Sequence, residues 1–211
     1  MTGTAGWGRR NRWWLVLLPF ALVVLVAGSS YRVKTFWWES GLHHMSAEAR
    51  PGERLHVVQD FEDQLGPTRR TFDVRLDDVR RVGALPEQAS FDEAEPVPAG
   101  AAAWRVDLSW RAAPDQDLDT CRVALVDASG ARYGGEIGDV LGQVHQCVPD
   151  DTPGPRSPLG KGSERGQVPE GESPRPEAWE THVVVLLPSG ARPTAAWVTF
   201  GPPDYVVLPV G

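Results

Sequence analysis

Hydrophobic residues recur at every second position through two stretches of this chain, and that period decides most of what it folds into. Phe72, Val74 and Leu76 alternate with Asp73, Arg75 and Asp77, and Trp104, Val106, Leu108 and Trp110 alternate with Arg105, Asp107, Ser109 and Arg111. Successive strand residues point to opposite faces. Such alternation therefore sends one set to a core and the other to water, as in half-buried antiparallel strands. Shorter runs at 55–58, 121–126, 143–148, 179–187, 195–200 and 205–210 continue the pattern, with Arg132 and Tyr133 returning from the turn Asp127-Ala128-Ser129-Gly130. Pro188-Ser189-Gly190 and Gly201-Pro202-Pro203-Asp204 punctuate the last three runs. Roughly seven or eight short strands without a helical period predict an all-β antiparallel sandwich over 54–211.

With 211 residues, 41% hydrophobic and 23% charged, the chain has the size and usage of one packed domain plus extras. One stretch departs from that usage. Residues 149–178 are Pro, Gly, Ser, Glu and Arg with almost no apolar side chain, which predicts a disordered loop inserted in the sandwich. The formal net charge is −7 and the basic residues form no dense stripe beyond the N-terminus, which excludes a nucleic-acid-binding role.

Ahead of the strands, 13–31 carries no charged residue and is dominated by Leu, Val, Ala and Phe. As a helix it would rise roughly 28 Å, close to the hydrocarbon thickness of a bilayer. Arg9, Arg10 and Arg12 precede it, and Trp7, Trp13, Trp14, Tyr31, Phe36, Trp37 and Trp38 suit the two interfacial belts. The reading is a cytoplasmic basic N-terminus over 1–12, a single-pass signal-anchor helix over 13–31 and a juxtamembrane stalk over 32–53. A cleaved signal peptide is its rival, with Ala27-Gly28-Ser29 near a cleavage point. Either route exports the remainder, so the expected location is the cell membrane, with the C-terminal domain extracytoplasmic and the lipid bilayer as one partner.

Cys121 and Cys147 are the only cysteines, an even count that suits one disulfide in an oxidising compartment. Two buried thiols or half of a metal site are the other readings, and the spacing is far from C-x-x-C. Asp115, Asp117 and Asp119 alternate just before Cys121 and form a calcium candidate. The Gly and Glu of an EF-hand loop are replaced there by Thr120 and Val126. Nearby Asp60, Glu62, Asp63, Asp150 or Asp151 would have to complete such a site. The five histidines, His43, His44, His56, His145 and His182, show no metal-ligand spacing, and no nucleophile elbow is present. Trp104, Trp110, Trp179 and Trp197 read as core or sheet-face residues rather than a sugar platform.

Thr71-Phe72-Asp73-Val74, then Pro98-Ala99-Gly100 ahead of Trp104-Arg105-Val106, the 127–130 turn and a Val-rich closing hairpin follow one another in order. Over roughly 54–210 this order resembles the immunoglobulin-like domains of actinobacterial secreted or membrane-anchored envelope proteins. The resemblance implies a sandwich with a binding or structural role and carries over no catalytic residue. Taken together, the expectation is a membrane-anchored, extracytoplasmic protein-interaction or accessory module of the cell envelope, not an enzyme and without a cofactor. The alternative is an extracytoplasmic sensor of a small ligand or ion.

Overall fold

A computed structural model describes residues 11–33, 41–85, 96–118, 120–135, 146–158 and 164–211. Among these residues one helix, α1 (Arg12–Val33), precedes nine strands: β1 (His44–Glu48), β2 (Leu55–Asp63), β3 (Gly66–Val82), β4 (Ala101–Arg111), β5 (Arg122–Asp127), β6 (Arg132–Gly134), β7 (Ala178–Pro188), β8 (Pro193–Thr199) and β9 (Asp204–Pro209). They form a five-stranded sheet in the order β1-β9-β8-β5-β6 and a four-stranded sheet in the order β2-β3-β4-β7. The molecule is an all-β, two-sheet sandwich. All pairings are antiparallel apart from β1 with β9, which is parallel.

The period of two places the core. Phe72, Val74 and Leu76 of β3, with Val106, Leu108 and Trp110 of β4, turn inward and are buried. They meet Val123 and Leu125 of β5, Ala196 and Val198 of β8, and Val206 and Leu208 of β9 in one cluster. The Trp110 indole N–H donates to the Thr181 hydroxyl at 2.9 Å, and its ring stacks at 6.4 Å on Trp179. A buried indole therefore keeps its hydrogen bond and adds an aromatic contact to its burial. A smaller apolar cluster of Leu85, Ala103 and Val184 lies apart, on the other face of β4 and β7.

Cys121 and Cys147 are disulfide-bonded, with Cα atoms 5.8 Å apart. Gln146 accepts the Val123 amide at 2.7 Å, and the Trp179 indole donates to the Cys147 carbonyl at 2.9 Å. The second cysteine is thus pinned to both sheets.

Several expectations change. The N-terminal helix exists. However, among the described residues no helix is long and apolar enough to cross a membrane. The single-pass signal-anchor over 13–31 is corrected on that finding. With it go the lipid-bilayer partner, the cell-membrane location and the membrane-anchored module or sensor built on them. Arg9 and Arg10 lie outside the described residues, and only the backbone of Arg12 is described.

The stretch expected to be a stalk contains β1, whose sequence His-Met-Ser-Ala-Glu has too few apolar residues to betray a strand. Its position comes from the parallel register on β9, where His44 meets Asp204 and Glu48 meets Val207. Of 143–148, residues 146–148 are described and hold no strand. Within 149–178, where disorder is expected, Pro153, Gly154, Pro155, Pro158 and Arg175 are buried. A count of apolar residues overlooks how proline and glycine backbones pack, and Arg175 supplies its own hydrogen bonds.

In the chain-entropy account a closed loop of 26 residues stabilises by about 3 kcal/mol. Replacing both cysteines by alanine should therefore lower the melting temperature by roughly 6–12 °C. A calorimetric scan of the double variant checks this.

Candidate functional site

After β4 the chain leaves the four-stranded sheet, and it reaches the five-stranded sheet at β5. The intervening loop, 112–121, is held by two buried arginines. Arg175, only 1% exposed, donates through Nη1 to the Pro153 carbonyl at 2.9 Å and through Nη2 to the carbonyls of Ala113 at 3.3 Å and Gln116 at 2.8 Å. Its guanidinium lies 4.6 Å from the Trp179 ring centroid. Gly154 passes so close that a Cβ there would sit 3.0 Å from Arg175 Nη1, and its φ of +82° suits glycine alone.

Arg70, 3% exposed, works from the other side. Its Nε–H donates to the Asp117 carbonyl at 2.7 Å, and Nη1 reaches the Gln59 amide oxygen at 3.3 Å. The rings of Phe61 and Phe200 pack against the guanidinium at 4.0 and 4.2 Å. Burial pushes each arginine down to about 10, and the Asp117 carboxylate opposes that shift in both. The two side chains therefore remain cations at neutral pH in a largely dry setting.

Arg70 opens onto a pocket of about 220 Å³ at this end of the sandwich, lined also by Asp63, Arg69, Asp115, Asp117, Arg156 and Arg165. Arg165 grips Asp63 with two hydrogen bonds, at 2.8 and 2.9 Å. That guanidinium holds the Asp63 carboxyl below the usual carboxylate range, and Arg69 does the same to Asp60. Arg156 pairs with Glu172 at 2.8 Å.

A second concavity, about 620 Å³, is a trench on the outward face of β3, β4 and β7. It follows from the polar half of the same alternation. Opposite Asp107 the β3 register shifts between Leu76 and Asp78, so that Asp77 and Asp78 both reach the trench. Arg75 binds Asp77 at 2.6 Å; Arg80 binds Asp78 and Asp107, each at 2.6 Å; Arg105 binds Asp107 at 2.6 Å. The Ser109 hydroxyl donates to Asp77. Glu180 and His182 of the edge strand β7 complete the lining.

Of the calcium candidates, Asp115 and Asp117 share the arginine pocket, and Asp119 lies outside the described residues. The Asp117 carboxylate accepts the Ser157 hydroxyl, while Asp60 and Asp63 are taken by Arg69 and Arg165. Among the described residues no group of three His, Cys, Asp or Glu is placed to hold a metal. His44 pairs with Asp204 and His56 with Asp73, each across neighbouring strands; His145 is outside the described residues. Sequence reading missed the two buried arginines. An arginine between Arg69 and Thr71, or between Pro174 and Pro176, carries no signal that separates burial from exposure.

These sheets, with their arginine-held crossover, define a β-sandwich protein. No family model matches the chain, and no curated protein matches it. Among solved structures it is similar to an uncharacterized β-sandwich protein from Clostridium difficile 630, at 11% identity and a TM-score of 0.39, over 80% of this chain and 97% of that one.

Two predictions test the site. Removing the Arg175 guanidinium leaves three carbonyls without their charged donor, so Arg175→Ala should cost about 3 kcal/mol, read from urea unfolding. Asp63 has a lowered folded value, so its contribution is present above the ordinary carboxylate pKa and lost as pH falls through that lowered value. Asp63→Asn should accordingly flatten the decline in melting temperature below about pH 4.

Proposed function

We propose that this chain is a non-enzymatic binding domain of immunoglobulin-like topology that takes a cationic ligand in the charged trench. Three features of connectivity support the topology: the parallel β1–β9 pairing, the β8–β9 hairpin, and four crossings between sheets, β1 to β2, β4 to β5, β6 to β7 and β7 to β8. The non-enzymatic reading rests on how the carboxylates are used. General acid catalysis needs a carboxyl raised toward neutral pH, whereas every aspartate with a resolved shift, Asp60, Asp63 and Asp127, is lowered by hydrogen-bond donors. Ser109 donates to a carboxylate, not to an imidazole.

The carrying observation is the fixed row of acids across three adjacent strands. Asp77, Asp78, Asp107 and Glu180 line the trench, and arginines clamp the first three. Glu180, on the edge strand, makes no ion pair among the described residues. It offers an acceptor already positioned beside a rigid array, and a lysine- or arginine-bearing ligand meets it at little ordering cost.

The test is a titration of the full chain with a short lysine-rich peptide and with its glutamate-rich counterpart, followed by amide NMR. The lysine peptide should shift β4 and β7 signals, weaken with added salt, and lose several-fold in affinity with Glu180→Gln. Equal binding of both peptides, or an indifferent Glu180→Gln variant, would count against the reading.

A further inference from the structure

The arginine pocket is distinct from the trench and carries its own chemistry. Arg70 is almost wholly buried, yet both of its hydrogen-bond acceptors are neutral: a main-chain carbonyl and an amide oxygen. Its Nη2 makes no hydrogen bond among the described residues. A desolvated cation with an open donor is costly unless something anionic meets it. The nearby Asp117 carboxylate is engaged by Ser157. Phe61 and Phe200 pack on the guanidinium and hold its plane, so a ligand would have to approach that open nitrogen.

We propose that this pocket is a binding site for a small monocarboxylate, received by Nη2 of Arg70 with Arg69 and Arg156 at the rim. Charge favours the monoanion. Arg69, Arg156 and Arg165 are each paired with a carboxylate, of Asp60, Glu172 and Asp63, whereas the acceptors bonded to Arg70 are neutral, which leaves Arg70 as the guanidinium of the lining without a bonded carboxylate among the described residues. A dianion such as phosphate would meet more repulsion from the Asp63, Asp115 and Asp117 carboxylates of the lining. Size agrees: a pocket of about 220 Å³ has room for a short-chain acid. A guanidinium offers in-plane N–H donors that match a planar carboxylate. The site rests on side chains the trench does not use, so either can fail alone.

The experiment uses the full chain at pH 7 with sodium acetate as the probe. Sodium chloride, inorganic phosphate and neutral acetamide serve as controls at matched ionic strength. Arginine Nε–H NMR signals and the melting temperature are followed together. The site predicts a saturable acetate shift of the Arg70 signal, a rise in melting temperature beyond that in chloride, and weaker responses to phosphate and acetamide. Arg156→Gln and Arg69→Gln lie on exposed pairs; each should fold normally and weaken acetate at least threefold. Arg70→Lys should abolish the effect where it folds, and the two rim variants decide the matter where it does not. An acetate response no greater than that in chloride overturns the site. Phosphate binding as tightly as acetate overturns the monocarboxylate assignment, and rim variants that bind acetate like the parent overturn the placement.

Discussion

Guanidinium groups withdrawn from water hold the point where this sandwich is hardest to build. A two-sheet fold must carry its chain from one sheet to the other, and the connecting backbone arrives with carbonyls that no strand satisfies. At 112–121 Arg175 supplies donors to Ala113 and Gln116 and ties both to Pro153 of the long insertion. Arg70 takes Asp117 from the opposite side, and the Gln116 side chain accepts the Thr71 amide at 2.9 Å. Among the described residues neither arginine is hydrogen-bonded to a carboxylate. Arg175 is held by three carbonyls and the Trp179 ring, and Arg70 by one carbonyl, one amide oxygen and the rings of Phe61 and Phe200.

The clamp gives the insertion a structural place. Gly154 lets the backbone pass beside Arg175, Ala112 donates its amide to the Glu177 carbonyl, and Cys147 is fixed by the disulfide and by Trp179. Covalent, aromatic and charged contacts thus gather at one end of the molecule. Arg70 faces both ways there, inward to the crossover and outward to the pocket, so structural and binding demands fall on one side chain. The trench on the outward face of the four-stranded sheet is built differently. Its charges sit on strand positions set by register, and its ion pairs are largely exposed, so they organise a surface more than they stabilise the fold.

The strongly alternating strands were legible because burial on one face leaves a period of two in the sequence. Phe72, Val74 and Leu76 occupy the inward positions that period assigns to them. It fails where strands lack a contrasting face. β1 is mostly exposed, and the outer halves of β2 and β3 form a charged hairpin, 55–63 with 66–82, whose pairing depends on the turn at Gly66. The apolar N-terminal run misled for another reason. Composition speaks to a helix, and α1 is one, but among the described residues no helix is long and apolar enough to cross a membrane. Of the site, Asp115 and Asp117 were visible as acids but not as the walls of an arginine pocket. Arg70 is separated from Asp117 by 47 positions, and only the folded crossover brings them together.

Amide hydrogen exchange resolved along 112–121 is the most direct measurement of whether this crossover is clamped. The amides of Ala112, Gln116 and Cys121 each donate to a backbone carbonyl within the clamped region. If the arginines hold it as argued, these three should exchange nearly as slowly as the amides of β4 and β5 and open only with global unfolding. Exchange at the rate of an exposed loop, while the strands on either side stay protected, would contradict the account.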